Sequence, residues 1–378
     1  AVQEYIAARV CALLLLPLLL PSFSHKQRGI MGVEGAVCVV TGGSGLTGRR
    51  LVEMLAEKGA ARVVSFDIAP KPADAMEHPA IEYQQGNLTI PDDVDKACEG
   101  ADCVWHVAAL VGPFHAKDAY MAVNYQGSLN VLEACRKHGV GKLIMSSSPS
   151  TRFDGNDIDG LKEDELDYPK KFLQLYAESK AKGEVAVLEA CSDSLLTVAI
   201  APHQIYGPRD NLFMPSLLEA AGKGQLRVFG NGKNKVSFTY LDNYCHGLIL
   251  GYDALYKGSP ALGNFYIVTD GGWQYFWRVI DGAGMAMGFS SLFDKMKLPT
   301  LLMVPVGYVC AGIGWVLGRK LRVNPFTVKM LIIHRWFDIS AAERDLKYKP
   351  IVTFEEGLSK TVAWLKEEWL PTFKAKHE

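Results

Sequence analysis

Tyr176-Ala177-Glu178-Ser179-Lys180 sets a phenol and an ammonium four residues apart. On a helix that spacing places both on one face. A phenol with a pKa of roughly 10 is a poor base at neutral pH. A fixed cation beside it favours the phenolate, so the pair can act as a general base toward an alcohol. Tyr-x-x-x-Lys alone is a weak signal, because any surface helix can carry it by chance. Its meaning depends on the elements upstream.

Those elements begin with AVCVVT at 36–41, a short apolar run that predicts a buried parallel strand. The loop Gly42-Gly43-Ser44-Gly45-Leu46-Thr47-Gly48 follows, and then Leu51, Val52 and Leu55 at helical spacing, with Gly59 placed to end the helix. Glycines allow a tight turn and close approach of a pyrophosphate, and a helix N-terminus supplies free N–H groups for it. A glycine cluster by itself could be only a turn. Between a strand and an amphipathic helix it predicts nucleotide binding by Gly42, Gly45, Leu46 and Gly48. The next strand, Arg62 to Asp67, ends in a carboxylate 19 residues beyond Gly48. There an acidic side chain can bond ribose hydroxyls and repel a 2′-phosphate, which favours NAD over NADP. The other reading of Asp67 is a solvated loop residue.

The βαβ rhythm continues. Strands are expected at Ile81–Tyr83, Cys103–Ala108, Lys142–Met145 and Leu195–Ala201, and helices at Met121–His138 and Phe172–Cys191. This alternation predicts an α/β fold: a Rossmann-type doubly wound parallel sheet with a smaller C-terminal substrate-binding region. The dinucleotide-binding part is expected over 33–203 with 235–270 returning to it, and the substrate side over 204–234 and 271–378.

The ordered set TGGSGLTG, HVAAL, VNYQGSLNVLEAC, IMSSSPS, YAESK, APHQIYGPRD, FTYLDN and FDISAAERDLKYKP resembles the extended short-chain dehydrogenase/reductase family. The likeness runs from about residue 35 to near the C-terminus. SPSTRFDGNDIDG, APHQIYGPRD and FGNGKNKVSFTYLDNYCHG narrow it to the branch holding 3β-hydroxysteroid dehydrogenases and decarboxylating sterol-4α-carboxylate 3-dehydrogenases, the latter more closely. The resemblance implies that Tyr176 is the base and that Lys180 orients the nicotinamide ribose and lowers the tyrosine pKa. It implies that Ser148, or else Ser147, hydrogen-bonds the reacting oxygen, and that Asn124 orders a proton relay. Asn87 and Leu88, Ala108 and Ala109, and Pro202 and His203 would contact NAD. A homodimer through the Tyr–Lys helix is implied too. The chain departs from the family pattern at Ala201 (arginine is usual), at Asn87 (Asp is usual) and at Lys347 (glycine is usual).

Composition bounds the alternatives. A formal net charge of −1 over 378 residues leaves no nucleic-acid footprint, and 49% hydrophobic residues can fill a large core. The 8 cysteines are scattered, with no Cys-x-x-Cys, so reduced thiols are expected. His106, His115 and His203 lack ligand spacing, and no metal is expected. Residues 1–32 carry the apolar run VCALLLLPLLLP at 10–21, readable as a targeting segment, an anchor or an upstream extension. Between Lys297 and Arg319 lie 21 uncharged residues. The core of that segment, 298–318, is read as a monotopic membrane-associating dip, with a buried helix pair as the alternative.

The reaction so implied is NAD-dependent oxidation of a sterol 3β-hydroxyl. If the neighbouring carbon bears a carboxylate, the product is a β-keto acid that loses CO2 without a metal. The expected setting is the cytosolic face of the endoplasmic reticulum membrane or a lipid droplet. A plain hydroxysteroid or other lipophilic-alcohol dehydrogenase is the alternative within the same chemistry. A nucleotide-binding scaffold without catalysis is the alternative from another class.

Overall fold

The computed structural model describes residues 32–112, 115–317 and 323–377. The apolar run at 10–21 lies outside the described residues. β1 (Val37–Thr41), β2 (Arg62–Asp67), β3 (Ile81–Gln85), β4 (Cys103–His106), β5 (Lys142–Ser146), β6 (Leu196–Pro202) and β7 (Phe265–Val268) form one seven-stranded sheet. Its spatial order is β7-β6-β5-β4-β1-β2-β3, and every pair is parallel. The order reverses between β1 and β4, so the crevice at their carboxyl ends is the place where such sheets bind ligands.

The inner strands are mainly apolar because both faces are covered, whereas the edge strand β3 (IEYQQ) is polar and partly exposed. Their alternation divides the core in two. Cys38, Val40, Cys103, Trp105, Val198 and Ile200 face α1 (Leu46–Glu57) and α5 (Leu241–Ala254). Val39, Val104, Leu143, Met145 and Ala199 face α2 (Pro91–Cys98), α3 (Gly127–His138) and α4 (Leu175–Glu189). Each fully buried large aliphatic side chain contributes about 1.5–3 kcal/mol. Trp105 also satisfies its indole N–H on the carbonyl of Leu248, 3.0 Å away, which pins α5 to the sheet.

The expected helix over Met121–His138 differs in detail. Helical structure starts at Lys117, and a π-helical turn over Met121–Gln126 precedes α3. Such one-turn expansions are characteristic of functional sites. α1 ends before Gly59, whose φ of +81° and N–H bond to Ala56 close it as expected.

The substrate side is built from short pieces. Ile158–Leu161, Lys235–Val236, Gln274–Tyr275 and Arg335–Phe337 form a four-stranded sheet. Gly230 and Gly232, with φ of +65° and +74°, make a turn, preceded by an isolated bridge from Phe229 to Leu298. Thr353 caps the helix over Phe354–Trp364 by accepting the Glu356 N–H at 3.2 Å. The uncharged segment forms a single helix, α6 (Thr300–Val316). It is not the buried pair: Leu301 and Trp315 are each 85% exposed, and only Met303, Gly307 and Gly314 are buried. Among the described residues, no helix is long and apolar enough to cross a membrane.

Gly48 shows how tightly β1 turns into α1. A Cβ there would sit 2.0 Å from the carbonyl oxygen of Gly42 and 3.0 Å from the Gly43 Cα, both backbone atoms that cannot swing aside. Gly48→Ala is expected to destabilise the protein by about 1–3 kcal/mol. The measurement is the urea unfolding midpoint, and an unchanged midpoint would show that the turn has slack.

Candidate active site

α4 carries Tyr176 and Lys180 on the face turned to the carboxyl end of β5. The Lys180 ammonium, 2% exposed, donates to the carbonyl of Ser146 at 2.7 Å. Burial pulls its pKa down to about 8, with the Glu184 carboxylate one turn on opposing that fall. Ser148 is close enough to Tyr176 to favour its phenolate. The expectation of a lowered tyrosine pKa does not hold among the protein's own groups. Burial pushes it up to about 12, against the lowering effect of Ser148. Desolvation disfavours a phenolate more strongly than the neighbouring hydroxyl favours it.

The two candidate serines are separated by their partners. Ser147 is buried and its hydroxyl is taken by the Glu184 carboxylate in a short bond. Glu184, fully buried, also receives Arg152 at 2.6 Å and the Tyr168 hydroxyl. Ser148 accepts the Ser150 N–H at 3.2 Å and is the serine that favours the Tyr176 phenolate.

Asn124 lies in the π-turn, 2% exposed. Its amide oxygen accepts the Leu110 N–H at 2.7 Å, and its nitrogen donates to Leu110 O at 3.1 Å and Ser179 Oγ at 3.0 Å. Ser179 in turn donates to the carbonyl of Tyr176 at 2.9 Å. Asn124 therefore ties the loop after β4 to the Tyr176 turn. Both of its amide hydrogens are used in doing so, and Oδ1 keeps one lone pair.

A second chain, not singled out from the sequence, runs below it. Ser128 Oγ donates to the Asn124 carbonyl at 2.9 Å, so it must accept from His106 Nε2, also at 2.9 Å. That leaves His106 Nδ1 to accept from Thr41 Oγ1 at 2.8 Å, while Thr41 accepts the Ala108 N–H at 3.2 Å. Both ring nitrogens are thereby engaged, and the ring is neutral. Burial first and the Lys180 charge second hold its pKa at about 3.

At the switch point the glycines form a cradle. A Cβ on Gly42 would meet the Ala108 Cα and N at 2.8 Å, so the loop and the Ala108–Ala109 turn touch backbone to backbone. Gly45 precedes α1 in extended conformation, no side chain caps that helix, and Leu46 opens it. The carboxylate of Asp67 accepts the Ser44 N–H at 3.0 Å and the Ala69 N–H at 2.9 Å. Each oxygen keeps a lone pair for a further donor. Asn87 caps its own turn through Oδ1, bonded by the Thr89 N–H at 3.0 Å and the Thr89 hydroxyl at 2.9 Å. Leu88 turns its side chain into the core against α3, and its carbonyl accepts from Asn130 at 3.0 Å.

Pro202 ends β6, and His203 follows, 4% exposed. His203 Nδ1 donates to the carbonyl of Ser237 at 2.8 Å, while its buried Nε2 has no partner. Burial and the nearby Arg335 hold this ring well below the usual histidine range. Tyr176 and His203 line a cavity of about 320 Å³ with Phe153, Phe276, Phe326 and Arg335. That volume lies in the range of small-molecule sites. A larger cleft of about 490 Å³ beside Glu163 and Asp345 is lined by none of the candidate residues.

Sequence reading missed His106, Glu184 and Arg335. Glu184 had a usable signal, its spacing one turn after Lys180 on the same helix. Arg335 had none, since its strand has three residues.

The 3-beta hydroxysteroid dehydrogenase/isomerase family profile matches residues 39–286. The chain belongs to that family. It is an oxidoreductase. A 3beta-hydroxysteroid-dehydrogenase/decarboxylase of Arabidopsis thaliana is 34% identical over 86% of this chain and 78% of its own length. A 2-alkyl-3-oxoalkanoate reductase of Stenotrophomonas maltophilia is 34% identical over 86% and 98%. The human sterol-4-alpha-carboxylate 3-dehydrogenase, decarboxylating, is 32% identical over 86% and 87%. Among solved structures, an epimerase of Methanothermobacter thermautotrophicus superposes with a TM-score of 0.70 at 21% identity, covering 91% of this chain and 95% of its own. That likeness speaks to the fold.

His106 gives this site a pH signature. Its folded pKa of about 3 lies below the unfolded value of 6.5, so between these pH values only the unfolded chain binds the proton. Stability therefore falls as pH drops from 6.5 toward 3, by up to about 1.4 kcal/mol per unit. His106→Gln is expected to flatten this slope in urea titrations across the window. An equally steep slope would show that other groups cause the acid loss.

Proposed function

We propose that the protein oxidises the 3β-hydroxyl of a sterol 4α-carboxylate with NAD, and that CO2 is lost from the 3-keto acid formed. The observation supporting this reading is that Tyr176 lines an apolar-walled cavity, while Lys180, one turn on along the same helix, is fixed by the Ser146 carbonyl. NAD fits the residues present. The cradle has no room for side chains where a pyrophosphate would approach, α1 offers an uncapped N-terminus, and Asp67 keeps acceptors for ribose hydroxyls. Gly42, Gly45, Leu46, Gly48, Ala108 and Ala109 would hold the phosphates. Asn87 and Leu88 would flank the adenine, and Pro202 and His203 the nicotinamide. Bound there, NAD would supply the hydride acceptor.

Tyr176 is the base that takes the hydroxyl proton, and Ser148 holds the reacting oxygen next to it. Lys180, fixed by the Ser146 carbonyl, supplies the positive charge that opposes the burial of a phenolate. Asn124 positions the Tyr176 turn. Oxidation leaves a ketone beside the carbon that bears the carboxylate. Its C–C bond to CO2 then breaks, the electrons pass to the ketone oxygen as an enolate, and a proton restores the ketone. The names of two relatives, a sterol-4-alpha-carboxylate dehydrogenase and a 2-alkyl-3-oxoalkanoate reductase, describe the same relation of oxygen-bearing carbon to carboxylate. That supports a β-hydroxy or β-keto acid over a plain alcohol.

The exposed apolar face of α6, with Lys295 and Lys297 before it, supports attachment to one membrane leaflet. The cytosolic face of the endoplasmic reticulum is the setting that suits a sterol substrate.

The deciding experiment offers purified, detergent-solubilised protein and NAD a 4α-carboxy-3β-hydroxysterol or its analogue without the carboxylate. NADH formation with loss of CO2 from the first is expected. Turnover of the second alone would assign a non-decarboxylating hydroxysteroid dehydrogenase instead. Tyr176→Phe is expected to lower kcat at least ~1000-fold with NAD still bound. For the membrane reading, Leu301→Glu with Trp315→Glu should release the protein from phosphatidylcholine vesicles while leaving turnover in detergent intact. Undiminished co-sedimentation would remove α6 as the attachment site.

A further inference from the structure

The buried chain below Asn124 joins the cofactor cradle to the catalytic helix, and the reaction described above makes no use of it. At one end Thr41 immediately precedes Gly42, and its hydroxyl accepts the Ala108 N–H at 3.2 Å. Gly42 and Ala108 are the two backbones that touch across the cradle. At the other end Ser128 donates to the Asn124 carbonyl at 2.9 Å. A Cβ on Gly183 of α4 would sit 2.4 Å from that carbonyl oxygen and 2.8 Å from Ser128 Oγ, so the catalytic helix rests on both groups with no side chain between. His106 is the link. It accepts from Thr41 at Nδ1 and donates to Ser128 at Nε2. Each hydroxyl hydrogen has one acceptor, so the chain runs in one direction, from Thr41 to Asn124. All four side chains are buried. Apolar side chains would fill this space without losing hydration, so filling the core does not call for a polar chain.

The element that receives the chain has two arrangements open to it. Over Met121–Gln126 the helix is wider than an α-helix, and the Gly127 N–H reaches back five residues to the Ala122 carbonyl. The ordinary α-helical register is its near neighbour. Coupling between sites needs an element of this kind, whose balance both sites bias. We propose that His106 is a positioning residue that couples occupation of the glycine cradle to the π-turn and, through Gly183 and Ser179, to the placing of Tyr176. With the cofactor's phosphates held at Gly42 and Ala108, Thr41 is fixed, and His106 passes that constraint to Ser128 and Asn124. The base is thereby placed most firmly while the hydride acceptor is bound. This rests on the reading of Gly42–Gly48 as the NAD cradle and of Tyr176 as the base.

The test reads the coupling without any substrate. Amide hydrogen exchange is followed in the full chain with and without saturating NAD. Protection of 42–48 reports the bound cofactor. Protection of 121–128, which has no assigned contact with the cofactor, reports the coupling. In the wild type NAD is expected to slow exchange over 121–128 by at least ~5-fold, the lower end of coupling between distinct sites. His106→Asn keeps an acceptor toward Thr41 and loses the donor to Ser128, whereas His106→Gln keeps the donor and loses the acceptor. Both should abolish the protection over 121–128 while 42–48 stays protected. Ser128→Ala, which removes only a hydroxyl, should do the same and decides the matter where a His106 variant fails to fold. With 4α-carboxy-3β-hydroxysterol these variants should lower kcat about 10–100-fold, the scale of a small misplacement of a catalytic group, with KM little changed. Thr41→Val combined with Ser128→Ala should lose no more than the worse single variant, because both break one chain. Protection of 121–128 that survives in the variants overturns the proposal, as does its absence in the wild type with 42–48 protected. Losses in kcat that multiply in the double variant overturn it too. An unprotected 42–48 in the wild type overturns it together with the reading of the cradle. Absence of sterol turnover with the exchange pattern intact upholds His106 and removes only the assigned substrate.

Discussion

Burying the Lys180 ammonium is the constraint on which the rest of the site depends. Removing an ammonium from water costs several kcal/mol even after the protein relaxes. The Ser146 carbonyl and the Glu184 carboxylate offset that cost. Their presence then sets the neighbours. Glu184 takes up the hydroxyl of Ser147 and the guanidinium of Arg152, which leaves Ser148 as the serine whose hydroxyl is free of that carboxylate. The Lys180 charge adds to burial in keeping His106 neutral. A neutral His106 has one donor and one acceptor, and the direction of the Ser128 bond fixes which is which. Through Ser128 the chain reaches the π-turn that holds Asn124. Strand ends, helix turn and hydrogen-bond direction are thus parts of one electrostatic arrangement.

The central sheet was legible because its signals are local. Apolar runs between turn residues marked six of its seven strands, and β7 (Phe265–Val268) was not among the strands expected. Even a departure was informative: Lys347 stands where the family uses glycine, and its φ of +58° shows why glycine is usual there. The Tyr176–Lys180 spacing identified a pair of the right type on one face. It did not reveal the tyrosine's protonation. Spacing reports which groups are neighbours, whereas a pKa also reports how much water has been removed, and that depends on elements far apart in the chain. For the same reason the preference for Ser148 over Ser147 rested on resemblance, and the bond from Ser147 to Glu184 has no local sequence signal.

On the substrate side the sequence says less. Its strands have two to four residues and come from four distant stretches, too short for a period to register. The segment 298–318 shows the limit of hydropathy as a guide. Its composition suits burial in protein or contact with lipid equally. Exposure separates these: a helix with Leu301, Leu302, Tyr308, Val309 and Trp315 open to solvent is not a core helix. Gly307 lets it pack closely on Asn324 and Pro325, so it is held against the enzyme along one edge and bare along the others.

Two partly or fully buried arginines show what the fold does when a cation is structural and what it does otherwise. Arg152 lies 3.5 Å over the Phe265 ring and 4.5 Å over Tyr168, and it is paired to Glu184 at 2.6 Å. Its charge, its packing and its hydrogen bonds are all answered within the chain. Arg335 has the aromatic support and none of the anion. Departures from internal consistency of this kind concentrate at functional sites.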